Sequence, residues 1–178
     1  MEQVRHIFLT GEKQVGKSTL LNRALEALGL HPAGFQTLPY RINGRFLGFY
    51  LHATGPVPAG YENDTPICVV PKPRCPIAIP QVYDGFGAAL LEEAMEAGPF
   101  LLMDELGRLE NQSPRFQAAV RACLDGPCHV VGVLQQTDSE MIRGILARAD
   151  TAVYTVTPRN REALLPRLIR DLRQLESD

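Results

Sequence analysis

The sequence predicts a three-layer α/β fold with a mostly parallel central sheet and an added β-hairpin. Three observations carry this. In the second half, short apolar β-prone runs alternate with segments whose apolar residues recur at helical spacing, the pattern of right-handed crossovers between parallel strands. At the amino-terminal end a β-prone run meets a glycine-bounded loop and then a helical segment. Between these regions Asn43-Gly44 joins two β-prone runs, the strongest short hairpin signal.

Taken in order, Val4 to Thr10 reads as the first strand, and Leu20, Leu21, Ala24, Leu25 and Leu28 form the apolar face of the first helix. Gly29 is a C-terminal stop for that helix. Gly34 to Ile42 and Arg45 to His52 form the hairpin. Seven prolines follow between Pro56 and Pro80, around a short strand at Ile67 to Val70. Repeated proline removes backbone donors and argues against a central strand, so this stretch reads as an ordered surface excursion. A helix over Val82 to Ala97, a strand at Phe100 to Met103 and a helix from Ser113 come next. Strand His129 to Leu134, a short helix holding Met141 and Ile145, strand Thr151 to Val156 and a Leu-rich last helix complete the chain. The expected organisation is one domain over residues 1–178, with residues 34–80 inserted after the first helix.

The 178 residues are 45% hydrophobic and 21% charged, with a net charge of −2. That balance fits a folded globular chain and argues against a broad basic surface for duplex nucleic acid, though not against a local basic patch, so a nucleic-acid partner is not expected. No apolar run reaches the ~20 residues of a membrane helix, and Ile7-Phe8-Leu9 is too short for an export signal, so the cytoplasm is expected. Cys68, Cys75, Cys123 and Cys128 follow no zinc spacing and read as free thiols. His6, His31, His52 and His129 show no metal-ligand pairing and read as structural or exposed.

Gly11-Glu12-Lys13-Gln14-Val15-Gly16-Lys17-Ser18 satisfies G-x-x-x-x-G-K-[ST] between a predicted strand and a predicted helix. Successive N–H groups of such a loop converge on phosphate oxygens, and the helix start adds partial positive charge. Lys17 is expected to reach the β- and γ-phosphates, Ser18 to ligate Mg²⁺, and Thr19 to bond the α-phosphate. Lys13 reads as a solvated loop charge, one residue beyond where some phosphate loops carry a catalytic lysine.

The apolar run Phe100 to Met103 ends in Asp104-Glu105. Ligands of open α/β sheets bind beyond the carboxyl ends of the strands. Asp104 is therefore expected to hold Mg²⁺, and Glu105 to act as general base toward water. A base next to the metal-binding aspartate marks the RecA-like branch of phosphate-loop NTPases, rather than switch GTPases.

These motifs resemble the small phosphate-loop nucleoside-triphosphatase family, known in animals as the cancer-related nucleoside-triphosphatases. The resemblance rests on Thr10-Gly11-Glu12, Gly34-Phe35, Arg45 with Gly48-Phe49, Met103-Asp104-Glu105-Leu106-Gly107-Arg108-Leu109-Glu110, and Thr157-Pro158-Arg159-Asn160-Arg161. It implies Mg²⁺-dependent hydrolysis of ATP, GTP and other nucleoside triphosphates. The loop interior carries Lys13-Gln14 where the family usually has Pro-Gly.

Arg108 is a candidate arginine finger, or else a loop arginine paired with Glu105 or Glu110. Arg45 is a second finger candidate. Gln135 and Gln136 end a strand, where a polar side chain either is ordinary strand-end polarity or senses the γ-phosphate or places water. Asp138 reads as the N-cap of the next helix. Asn160 and Arg161 either line the base pocket or serve as a cap and a solvated charge. Two rival functions remain: a small-molecule or nucleotide kinase, and a nucleotide-dependent switch or assembly factor with a protein partner bound through residues 53–80.

Overall fold

The computed structural model describes residues 3–72 and 75–177. Its eight strands are β1 (His6–Thr10), β2 (Ala33–Ile42), β3 (Arg45–Ala53), β4 (Thr65–Lys72), β5 (Cys75–Ala78), β6 (Phe100–Leu106), β7 (His129–Leu134) and β8 (Thr151–Thr155). They form one sheet in the order β5-β4-β3-β2-β6-β7-β1-β8. The five strands from β2 to β8 pair in parallel, and β3, β4 and β5 continue the sheet antiparallel. The helices are α1 (Lys17–Leu28), α2 (Pro80–Val82), α3 (Ala88–Ala97), α4 (Pro114–Asp125), α5 (Glu140–Leu146) and α6 (Arg161–Glu176). A π-helical turn at Tyr83–Gly87 joins α2 to α3.

Alternation along each strand builds two cores. Ile7 and Leu9 of β1, Leu102 of β6 and Val131 of β7 face α1 and α6. Phe8, Leu101, Met103 and Val130 face the opposite layer, where α3, α4 and α5 lie. Phe116 of α4 anchors that second layer, with ring centroids 5.8 Å from Phe35 and 5.1 Å from Tyr83. Both faces of the parallel strands are covered, which explains their nearly continuous apolar sequence.

The hairpin turn carries Asn43 at φ 49° and Gly44 at φ 78°, the two positive values that a two-residue turn requires. The hairpin is not simply added to the core, however. Its first arm, β2, is itself a core strand, parallel to β6 through Ala33↔Leu101 to Gln36↔Asp104.

The Pro-rich stretch corrects the sequence reading. It extends the sheet as β4 and β5, and β4 lies between two neighbours. Its prolines are accommodated by broken pairing. The β3/β4 register shifts between Phe49 and Tyr50, where Tyr50 faces Pro66, and the β4/β5 register shifts between Val69 and Lys72, around Pro71. Pro76 lies on β5, which among the described residues pairs on one side only.

Cys68, Cys123 and Cys128 are buried free thiols, and the side chain of Cys75 lies outside the described residues. His6 is buried under the sheet end away from the phosphate loop. Its Nδ1 accepts from Val130 N–H at 3.1 Å and its Nε2 donates to the Leu124 carbonyl at 3.0 Å. Burial pushes its pKa down to about 4, so it is neutral and structural at pH 7. Among the described residues no helix is long and apolar enough to cross a membrane.

Candidate active site

The phosphate loop runs from the end of β1 into α1. Gly11 has φ 144°, and a Cβ there would stand 2.4 Å from the Val156 carbonyl oxygen just after β8. Only glycine lets the loop start this close to the neighbouring strand end. Gln14 at φ 61° and Gly16 at φ 98° then turn the chain into the helix. Glu12, Lys13 and Gln14 are exposed, whereas Val15 is buried in the α1/α6 core.

Lys17 is 7% exposed and folds back across its own loop. Its Nζ donates to the carbonyls of Gly11 at 3.0 Å and Glu12 at 2.8 Å. Ser18 Oγ donates to Asp104 Oδ1 at 2.8 Å. The serine comes from the strand–loop–helix unit of β1 and the carboxylate from β6, and β7 lies between those strands. A hydroxyl and a carboxylate oxygen this close form the hard-oxygen pair that Mg²⁺ prefers, with phosphate and water completing its shell. Among the described residues no group of three or more His, Cys, Asp or Glu side chains is placed to hold a metal.

Asp104 is 5% exposed. Burial lifts its carboxyl pKa to about 6, and neighbouring Glu105 adds to the rise. The Ser18 hydroxyl and the Lys17 ammonium oppose it. At Glu105 the β6/β7 register slips: Asp104 pairs with Val133, and Leu106, two residues on, pairs with Leu134. Glu105 is thus the extra residue of an irregular pair, which breaks regular alternation at the acidic pair.

Gln135, just beyond β7, is the partner of Glu105. Its Nε2 donates to Glu105 Oε1 at 2.5 Å. The same side chain lies across Gly107, where a Cβ would meet Gln135 Oε1 at 2.1 Å. The glycine of the Asp-Glu-Leu-Gly run therefore provides the space in which Gln135 reaches the acid. The sequence marks Gln135 as a strand-end polar residue, ordinary or placed to sense phosphate or water; its contact with Glu105 depends on pairing between distant strands.

In the sequence Glu110 closes the Asp-Glu-Leu-Gly-Arg-Leu-Glu run and is a candidate partner for Arg108. It is 2% exposed, and its Oε2 accepts from Gly107 N–H at 3.0 Å. Burial pushes its pKa up to about 7. The buried Tyr83 hydroxyl faces it without reaching hydrogen-bond geometry. Glu110 thus ties down the turn that follows the acidic pair.

Arg108 is exposed, and among the described residues it pairs with neither Glu105 nor Glu110. Arg45 lies at the hairpin tip opposite Ile42. That is six residues past the Gln36↔Asp104 pair, roughly 20 Å along the strand, so the fold does not bring Arg45 to the acidic pair. Gln136 is exposed. Asp138 is not the cap of α5. Ser139 occupies that position, and Asp138 pairs with Arg143 at 2.7 Å. Asn160 binds its own loop, and Arg161 stands beside Gly16.

A buried carboxyl with a raised pKa costs stability wherever it must ionise. The folded-state pKa of Asp104 lies above its ordinary 3.8, so the cost is absent below about pH 4 and complete above about pH 6. Asp104→Asn keeps an acceptor for Ser18 and removes the charge. In metal-free buffer at pH 7.5 it is expected to stabilise the protein by on the order of 1 to 3 kcal/mol, with the gain vanishing as pH falls from 6 to 4. Chemical denaturation of both proteins across that range measures it. An equal or lower stability for Asp104→Asn at pH 7.5 would contradict the burial assigned to this carboxylate.

The NTPase family model matches residues 6–169. The mouse cancer-related nucleoside-triphosphatase homolog is 33% identical, over 93% of this chain and 95% of its own. The nucleoside-triphosphatase THEP1 of Thermofilum pendens is 28% identical, over 96% and 97%. The solution structure of a human cancer-related nucleoside triphosphatase superposes with a TM-score of 0.74 at 28% identity, covering 96% of this chain and 98% of that one. The crystal structure of THEP1 from Aquifex aeolicus shares the fold, with a TM-score of 0.72 at 22% identity over 93% and 97%. By the span of that family match and the near full-length likeness to the mouse relative, the chain belongs to the NTPase family.

Proposed function

We propose that this protein hydrolyses nucleoside triphosphates, ATP and GTP among them, to nucleoside diphosphate and phosphate with Mg²⁺. The single observation that carries the reading is the bond between Ser18 of the phosphate loop and Asp104, with Glu105 next in the chain. It joins a triphosphate cradle to an acidic pair.

Residues Gly11 to Thr19 bind the polyphosphate, and Lys17 moves from its own loop carbonyls onto the β- and γ-oxygens. Ser18 and Asp104 hold Mg²⁺, which when bound offsets charge on the triphosphate oxygens. Glu105 takes a proton from water as the water oxygen bonds to the γ-phosphorus. The bond from that phosphorus to the β–γ bridging oxygen breaks, and the diphosphate leaves. Gln135 holds Oε1 of Glu105, which leaves Oε2 for the water. Arg108 is the exposed cation that neutralises charge developing on the γ-phosphate. Most of the rate then comes from positioning and electrostatics. Among the described residues, three buried free thiols fit a reducing compartment, which supports the cytoplasm as its location.

A second reading, a switch acting through a protein partner at residues 53–80, has one observation in its favour. Val69 and Ile77, cross-strand neighbours on the outer strands, leave about half their surface in solvent. Phosphate release without any partner or acceptor separates hydrolysis from both the switch and a kinase.

In that assay, with purified protein, ATP and Mg²⁺ alone, the wild type is expected to release phosphate and chelation to stop it. Glu105→Gln should keep nucleotide binding and lose hydrolysis by about 10²- to 10⁴-fold. Lys17→Ala should lose binding as well. Full turnover by Glu105→Gln would remove Glu105 as the base.

Gln135→Ala and Gly107→Ala disturb the same contact from its two sides. Each should lower kcat with little change in KM, and the double variant should lose no more than the worse single. Additive losses would mean that Gly107 acts on something other than Gln135.

A further inference from the structure

We infer that Arg161 is a nucleotide-binding residue that grips the α- and β-phosphates. The inference deepens the hydrolase reading and rests on the same phosphate loop.

The loop after β8 is fixed by Asn160. Its Oδ1 accepts from Thr157 N–H at 2.8 Å, and its own N–H donates to Thr157 Oγ1 at 3.2 Å. Its Nδ2 donates to the Thr155 carbonyl at 2.9 Å. Three bonds to its own loop leave Asn160 little capacity to read a base. They hold the start of α6 in place and so aim the next residue.

That next residue meets the phosphate loop. Among the described residues, one group comes within 4 Å of where a Cβ on Gly16 would stand: Arg161 Nη1, at 3.7 Å. The guanidinium therefore lies at the rim of the loop, beside the glycine that precedes Lys17. Its ion pairing is weak. Nε is 3.8 Å from Glu162 Oε1, and both side chains are at least half exposed. Glu162 is already engaged by Arg23 of α1, through three contacts of 3.1 to 3.2 Å. Arg161 thus keeps most of its planar donor fork for a phosphate, the geometry a guanidinium matches best.

Sheet order decides which phosphates it meets. Asp104 and Glu105 approach the loop from β6, two strands to one side of β1. Arg161 approaches from the β8 side, the opposite flank. The acids work on the γ-phosphate and the attacking water. A cation from the other flank serves the part of the nucleotide that remains as product. Arg161 therefore binds substrate and product alike and adds nothing specific to the transition state.

The test measures Kd for ADP, by calorimetry, and KM and kcat for ATP, by phosphate release. Wild type, Arg161→Ala and Arg161→Lys are compared after thermal unfolding confirms that each is folded. Arg161→Ala is expected to weaken ADP binding and raise KM by about tenfold each, with kcat within twofold of wild type. Arg161→Lys is expected to recover part of the loss, since it keeps the charge without the fork. Unchanged ADP affinity in Arg161→Ala would overturn the inference. So would a fall in kcat with ADP affinity intact, which would place Arg161 on the γ-phosphate. If the wild type binds ADP without hydrolysing ATP, the hydrolase reading fails and the ADP arm still decides Arg161.

Discussion

The hydrogen bond from Ser18 to Asp104 spans 86 residues of sequence and the width of one intervening strand. The chemistry proposed for this chain depends on that distance being short. The loop after β1 and the end of β6 meet only because β7 lies between them in register, Asp104 opposite Val133. Gly132 of β7 makes this packing close, since a Cβ there would stand 2.4 Å from the Met103 carbonyl oxygen. Gly11 does the same on the other flank, against Val156. With both sheet faces buried, the core clamps these strands, and the site inherits its geometry from the sheet rather than from flexible loops.

That geometry has an electrostatic cost. Asp104 and Glu110 are both buried carboxyls with pKa values lifted by desolvation, to about 6 and about 7. Lys17 and Ser18 partly offset the first. The Gly107 N–H partly offsets the second. Buried acids that no nearby cation fully compensates are unfavourable in a core and useful where a cation or an anionic ligand must be handled. They cluster here at the carboxyl ends of the strands, where open α/β sheets bind ligands.

Much of this was legible in the sequence, because it is written locally. The phosphate loop is a contiguous motif, Asn43-Gly44 sets its turn by itself, and Asp104-Glu105 ends an apolar run. What escaped was non-local. Prolines at 66 and 71 argued against an inner strand, yet β4 is one, because irregular register absorbs the missing donors. Gln135 could be placed at a strand end, but its partner Glu105 lies 30 residues away. Nothing local marks Glu110 as buried, because the turn after β6 folds it inward. Asn160 and Arg161 are adjacent in sequence and opposite in role, one bonded into its own loop and the other turned to Gly16. Bonds within the loop hold the first, and the approach of α6 to the phosphate loop places the second.

Water is the phosphoryl acceptor in the proposed reaction, and its route into the products is the feature that separates hydrolysis from transfer. Hydrolysis of ATP in ¹⁸O-water, with no acceptor or partner present, followed by mass analysis of both products, tests it. Attack by water on the γ-phosphorus puts one ¹⁸O into each released phosphate and none into the diphosphate. Label in the diphosphate, or no phosphate release until an acceptor is added, would contradict the account.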